Sequence, residues 1–135
     1  MTIEIGAPAR PRVLLVDDEP MVRTSISRCL DRMGYAVTAV DSAAAALRAV
    51  EGSRFDAILT DFHMPGMTGQ ELVERLVASD PSIRARIVVT SGDLSGAAIN
   101  GLVDRVGCLT LAKPFELSVL GATLRSCVQG SRSDR

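Results

Sequence analysis

The segment FDAILTDFHMPGMTGQ, residues 55–70, decides the fold. Phe55, Ala57, Ile58 and Leu59 form a short apolar run that reaches Asp61 and then meets the breaker Pro65-Gly66. A run this short, closed by a turn, reads as a strand covered on both faces of a parallel sheet rather than as a helix. Met64-Pro65-Gly66 supplies the turn, and Thr68-Gly69-Gln70-Glu71 follows as a capping box opening the next helix. Strand, acidic loop and helix make one βα unit, and open α/β sheets gather ligands at the carboxyl ends of their strands. Asp61 stands at such an end; for one aspartate alone, a loop or helix-cap role is the plain alternative.

The same alternation extends outward in both directions. Upstream, RVLLV at 12–16 is an apolar strand ended by Asp17-Asp18-Glu19-Pro20, with proline in the first turn of the helix that follows. Residues 21–33 carry Val22, Ile26, Cys29, Leu30 and Met33 at helical spacing, and Gly34 closes them. YAVTAV at 35–40 is the second strand, and Asp41-Ser42 caps an alanine-rich helix over 43–50. Downstream of residue 70, Leu72, Val73, Leu76 and Val77 share one helix face, which Asp80-Pro81 stops. RIVVT at 86–90 is the fourth strand, ending at Ser91-Gly92-Asp93. A fourth helix over about 95–106 contains Gly96 and Gly101, each costing about 1 kcal/mol relative to alanine inside a helix. Residues 108–111 form a short fifth strand, Lys113-Pro114-Phe115 follows it, and 116–128 is a fifth helix striped by Leu117, Leu120, Leu124 and Val128. The expected fold is therefore α/β, a doubly wound, five-stranded parallel sheet, (βα)5, covered on both faces. Residues 1–11 are expected to be a flexible leader, 12–128 the folded domain and 129–135 a polar tail.

Composition narrows the function. A length of 135 residues with 47% hydrophobic and 23% charged content suits one folded domain with its own core. The net charge of −1 and the lack of tryptophan offer neither a phosphate-binding footprint nor a stacking platform, so direct nucleic-acid binding is not expected. No apolar stretch reaches membrane-spanning length and no signal segment opens the chain, so a cytoplasmic protein without membrane contact is expected. Cys29, Cys108 and Cys127 fall within apolar patterns and read as buried free thiols.

The strand ends bring together Asp17, Asp18, Asp61, Ser91 and Lys113. Three carboxylates at one place oppose one another's ionisation, and a single lysine cannot balance them. A divalent cation can, and hard oxygen ligands without cysteine or paired histidine favour Mg²⁺, or Mn²⁺, over Zn²⁺. A metal, a carboxylate nucleophile, an ammonium and a hydroxyl donor are the parts of phosphoryl transfer. The bland readings are helix caps for Asp17 and Asp18, a solvated loop residue for Lys113, and a loop residue for His63. Thr90 could replace Ser91 as the hydroxyl, but strand alternation and the following Gly92 favour Ser91.

VDDEP, TDFHMPGMTG, TSGD and AKPF, in that order at successive strand ends, resemble the receiver domain of two-component signalling over residues 12–128, and are similar to stand-alone receivers and to those of hybrid sensor kinases. The resemblance implies a flavodoxin-like sheet of strand order 2-1-3-4-5. It implies that Asp61 takes the phosphoryl group of a phosphohistidine, on a histidine kinase or histidine phosphotransfer protein, as an aspartyl phosphate. Such a domain is a switch that catalyses its own phosphorylation and dephosphorylation. Asp17, Asp18, Asp61 and the backbone carbonyl of His63 would form the metal set, Asp18 directly and Asp17 mainly through water. Lys113 and Ser91 would meet phosphoryl oxygens. Thr110 stands where many receivers carry an aromatic residue, so the expected route of signalling runs instead through Ser91 and the glycine-rich fourth helix. With no DNA-binding motif after residue 128, output is expected through a downstream protein partner or onward phosphotransfer. Two alternatives stay open: a small phosphohydrolase with Asp61 as nucleophile, which would want a carboxylate where His63 stands, and a phosphorylation-independent protein-binding module.

Overall fold

Five parallel strands frame the molecule. In the computed structural model, which describes residues 10–133, the strands are β1 (Arg12–Val16), β2 (Ala36–Val40), β3 (Ala57–Asp61), β4 (Ile87–Ser91) and β5 (Leu109–Ala112). They pair in the order β2-β1-β3-β4-β5. The helices between and after them are α1 (Pro20–Arg32), α2 (Ala43–Gly52), α3 (Gly69–Ser79), α4 (Ala97–Val106) and α5 (Leu117–Ser133).

Period-two alternation divides the core. Val13 and Leu15 of β1 with Ala57 and Leu59 of β3 face Leu30 of α1 and Leu120, Leu124 and Cys127 of α5. Leu14, Val16 and Ile58 face the other way, onto Ala43 and Ala46 of α2, Leu72 and Leu76 of α3, and Ile99 and Leu102 of α4. Burying each leucine or isoleucine stabilises the fold by about 2 kcal/mol. β3 is buried along its whole length, as a central strand covered on both faces must be, whereas edge strand β2 is mostly half-buried. Thr68 caps α3: its hydroxyl accepts from the Glu71 amide at 3.2 Å, and the Glu71 carboxylate accepts from the Thr68 amide.

The elements depart from expectation at four places. Residues 81–86 form a 3-10 turn rather than leading straight into β4, and Arg86 is buried there instead of starting the strand. Its Nη1 donates to the Phe55 carbonyl at 2.9 Å, so the guanidinium is held by backbone that the strand pattern could not reveal. Helix α4 starts at Ala97, not at 95, which makes Gly96 an extended N-cap rather than a helix-interior glycine. Asn100 closes that end from inside the helix, donating from Nδ2 to the carbonyls of Leu94 and Gly96. The expected polar tail is helical as far as Ser133, because the Ser131 hydroxyl is buried and donates to Asp56 Oδ1 at 3.1 Å. Of the expected leader, residues 1–9 lie outside the described residues, but Arg10 is tied down: its guanidinium donates to the carbonyls of Gly34 and Asp31.

Cys108 and Cys127 are buried, Cys29 only partly so, and all three are free thiols. Burial pushes the Cys127 thiol up to about 11. Among the described residues, no helix is long and apolar enough to cross a membrane.

Candidate functional site

Strand register assembles the site. Val16 pairs with Thr60, so Asp17, one residue on, lies level with Asp61. Asp61 in turn pairs with Thr90, and Ser91 pairs with Ala112, which puts Ser91 and Lys113 at the same carboxyl edge. Two backbone bonds continue the ladder there: the Phe62 amide donates to the Thr90 carbonyl and the Lys113 amide to the Ser91 carbonyl, each at 2.8 Å. The peptide bond between Lys113 and Pro114 is cis.

Carboxylate oxygens of Asp17, Asp18 and Asp61 lie within 4.8 Å of one another. Lys113 Nζ donates to Asp61 Oδ2 at 2.9 Å and stands 3.5 Å from Asp17 Oδ2. Asp61 Oδ1 accepts the His63 amide at 3.2 Å, and Asp17 Oδ1 accepts the Glu19 amide at 2.9 Å. The side chain of Asp17 is 3% exposed and that of Asp61 11%, while Lys113 keeps 25% of its side chain in solvent and Asp18 is also partly exposed, so the pocket meets solvent past both residues. Burial, the largest single influence on Lys113, disfavours its charge; the hydrogen bond and charge of Asp61, joined by Asp17, outweigh it and raise the ammonium above its ordinary value. Lys113 is thus held charged by the carboxylates it serves.

One lysine against three carboxylates leaves the pocket short of positive charge. The oxygen-only donor set and its spacing fit a hard divalent cation that keeps several waters. The acidic triad can therefore bind a metal. The remaining sequence candidates are arranged differently. Ser91 is buried at the end of β4, but its hydroxyl donates to the Asp93 carbonyl at 3.2 Å and accepts the Asp93 amide at 3.1 Å. His63 turns an exposed ring against the edge of Phe62 and gives Asp61 only its backbone amide.

Two further residues shape the pocket without having been singled out from sequence. Gly69, at the start of α3, lies so close to the end of β3 that a Cβ there would collide with the Asp61 carbonyl oxygen and come within 2.8 Å of Phe62 Cα. Its amide donates to the Phe62 carbonyl at 3.1 Å. A glycine directly after the capping threonine is the signal that could have found it. Arg23, one turn into α1, donates from Nη1 to the Asp17 carbonyl at 2.8 Å. Nothing in helical periodicity marks that contact.

Comparison with known proteins agrees with this geometry. Residues 13–125 match the response regulator receiver domain family. The chain is 32% identical over 118 residues to the transcriptional regulatory protein FixJ of Bradyrhizobium diazoefficiens, covering 87% of this chain and 56% of that protein. It is 32% identical over 123 residues to the sensory/regulatory protein RpfC of Xanthomonas campestris, covering 90% of this chain and 17% of that one. The chain thus spans about half or less of the length of these relatives. A solved receiver domain of a sensor histidine kinase from Pseudomonas aeruginosa, with a magnesium ion coordinated in its active-site cleft, is 30% identical, with a TM-score of 0.80 over 90% of this chain and 99% of that one. The signal receiver domain of an HD domain-containing protein from Pseudomonas fluorescens superposes with a TM-score of 0.85 over 96% of this chain and 94% of that one; at 24% identity it speaks to the fold alone. The family match runs through every strand that delivers a residue to the acidic pocket, and the chain belongs to the response regulator receiver domains of two-component signalling.

Proposed function

We propose that this domain accepts a phosphoryl group on Asp61 from the phosphohistidine of a histidine kinase or histidine phosphotransfer protein, in a Mg²⁺-dependent reaction. The observation that carries the reading is the Asp61 carboxylate, held at the sheet edge by Lys113 at 2.9 Å and by the His63 amide, within 4.8 Å of two further carboxylates. An Asp61 oxygen attacks phosphorus, the new P–O bond forms as the P–N bond to the donor imidazole breaks, and the imidazole leaves with the electron pair of that bond. Lys113 needs only a small shift from Asp61 Oδ2 to meet a phosphoryl oxygen. Ser91 can rotate its hydroxyl from the Asp93 carbonyl toward the same group, and that exchange of partners would carry the change into the loop before α4. Asp17, Asp18 and Asp61, with the His63 carbonyl, would hold the metal. Bound there, Mg²⁺ supplies positive charge where phosphoryl oxygens gather negative charge.

Signalling onward would proceed through a protein partner or a further phosphotransfer step. Intact-mass spectrometry after incubation with acetyl phosphate and Mg²⁺ tests the reading. Gain of one labile phosphoryl group is expected, lost in Asp61→Asn and on chelation. An adduct that survives both changes would refute the assignment.

A further inference from the structure

We propose that Arg23 is a positioning residue for the acidic pocket, clamping the loop 17–19 so that Asp17 and Asp18 face Asp61 at a spacing one divalent cation can bridge. The proposal rests on the metal reading given above. Its starting point is how α1 begins. The N-cap Glu19 makes no side-chain capping bond, Pro20 has no amide to offer, and no acidic residue occupies the first turn. A helix end so poorly capped has little of its own to fix the preceding loop.

Residue 23 meets that loop twice, once through the first intrahelical backbone bond, which any residue there would make, and once through the arginine side chain. Its amide donates to the Glu19 carbonyl at 2.9 Å, and its guanidinium reaches back over the first turn to the Asp17 carbonyl at 2.8 Å. Between those anchors the Asp17 carboxylate accepts the Glu19 amide at 2.9 Å. On its other side the Asp17 amide donates to the Val40 carbonyl of β2 at 3.2 Å. Asp17 is thereby fixed at its amide, its carbonyl and one carboxylate oxygen, which leaves Oδ2 toward Lys113 and the pocket. The guanidinium bonds backbone, not a pocket carboxylate, so its contribution is geometric before it is electrostatic.

Charge and geometry make opposite predictions here. If Arg23 acted only as a nearby cation, removing it would make the pocket more negative and tighten binding of a dication. If it positions the loop, removing it weakens binding despite the added negative potential. The experiment is Mn²⁺ binding followed by the electron paramagnetic resonance of the free ion, with amide hydrogen exchange at Glu19 read in parallel on the metal-free protein. Arg23→Met, which keeps the stem, is expected to bind Mn²⁺ about 10-fold more weakly than wild type. Arg23→Gln, too short to reach the Asp17 carbonyl, is expected to behave the same way, and either folded variant suffices. Both should exchange the Glu19 amide faster while amides of β3 keep their protection. Arg23→Lys, which restores a donor and the charge, should return to within about threefold of wild type. Binding by Arg23→Met as tight as wild type or tighter would overturn the clamp, as would weaker binding with Glu19 exchange unchanged, and both would leave the metal reading standing. A wild-type protein that binds no Mn²⁺ would overturn the metal reading and the clamp with it.

Discussion

At the scale of single residues, the pocket is set by how closely backbone and carboxylate are packed around Asp61. Gly69 is the sharpest case. Its missing Cβ is the space in which the Asp61 carbonyl and Phe62 Cα sit, so Gly69→Ala must displace the backbone at Asp61 and Phe62 and not a flexible side chain. Overpacking against backbone of this kind costs about 2–3 kcal/mol. Gly69→Ala is therefore expected to lower thermal stability by that amount and to slow acetyl-phosphate labelling, while Gly92→Ala, where a Cβ meets nothing within 4 Å, should leave stability nearly unchanged. Equal stability of the two variants in denaturant melts would contradict the close approach. The residue scale is also where sequence reading reached furthest and stopped most abruptly. Asp17, Asp18, Asp61 and Lys113 were legible because each follows an apolar strand, and parallel strands must end together. Arg23 and Gly69 were not, since their contacts run to backbone atoms of other elements and leave no periodic mark.

At the scale of elements, the last two turns of α5 join the far end of the sheet. Ser131 donates to Asp56, whose other oxygen accepts the Arg12 amide at 2.9 Å, so one buried carboxylate links the start of β1, the approach to β3 and the end of α5. Arg54 adds a bond to the Ser131 hydroxyl at 3.1 Å. Ser131→Ala removes one donor to a buried carboxylate and is expected to cost about 1–2 kcal/mol, measured by urea unfolding with an unchanged m-value. A loss below a few tenths would mean that the residues past Val128 act as a tail after all. The polar composition of residues 129–135 hid this role, because burial of a hydroxyl depends on a partner 75 residues away. The shifted start of α4 has a similar cause: Asn100 Nδ2 donates to the carbonyls of Leu94 and Gly96 and so ties the approaching loop to the first turn, a contact that helical periodicity does not mark.

At the scale of the molecule, burial on both faces of the sheet couples stability to alkaline pH. Cys127, 0% exposed on the sheet-facing side of α5, keeps its proton up to about 11 in the folded protein against 9.0 for a free thiol. The folded state thus holds a proton that the unfolded chain has already lost, so this contribution is complete below pH 9.0 and disappears as pH rises to about 11. Two units correspond to about 2–3 kcal/mol. Cys108, Tyr35 and Lys113 are raised as well and act in the same direction. Melting temperature is expected to fall steeply across this range in wild type and less steeply in Cys127→Ala; identical slopes would show that the thiol is not the group responsible. The overall architecture was legible from alternation of short apolar runs with amphipathic stretches, since a covered parallel sheet imposes both. Its exact joints were not, because the 3-10 turn before β4 is fixed by Arg86 reaching the Phe55 carbonyl, a contact made only once the sheet exists.

Of the three neighbouring carboxylates, Asp61 is the one proposed to take the phosphoryl group, and its position can be read chemically. Borohydride reduction of the protein after brief exposure to acetyl phosphate and Mg²⁺ converts an acyl phosphate to the corresponding alcohol, and peptide sequencing by mass spectrometry then locates it. The reduced residue is expected at position 61 alone. Reduction at position 17 or 18, or at no position in protein that has demonstrably gained phosphate, would contradict the account.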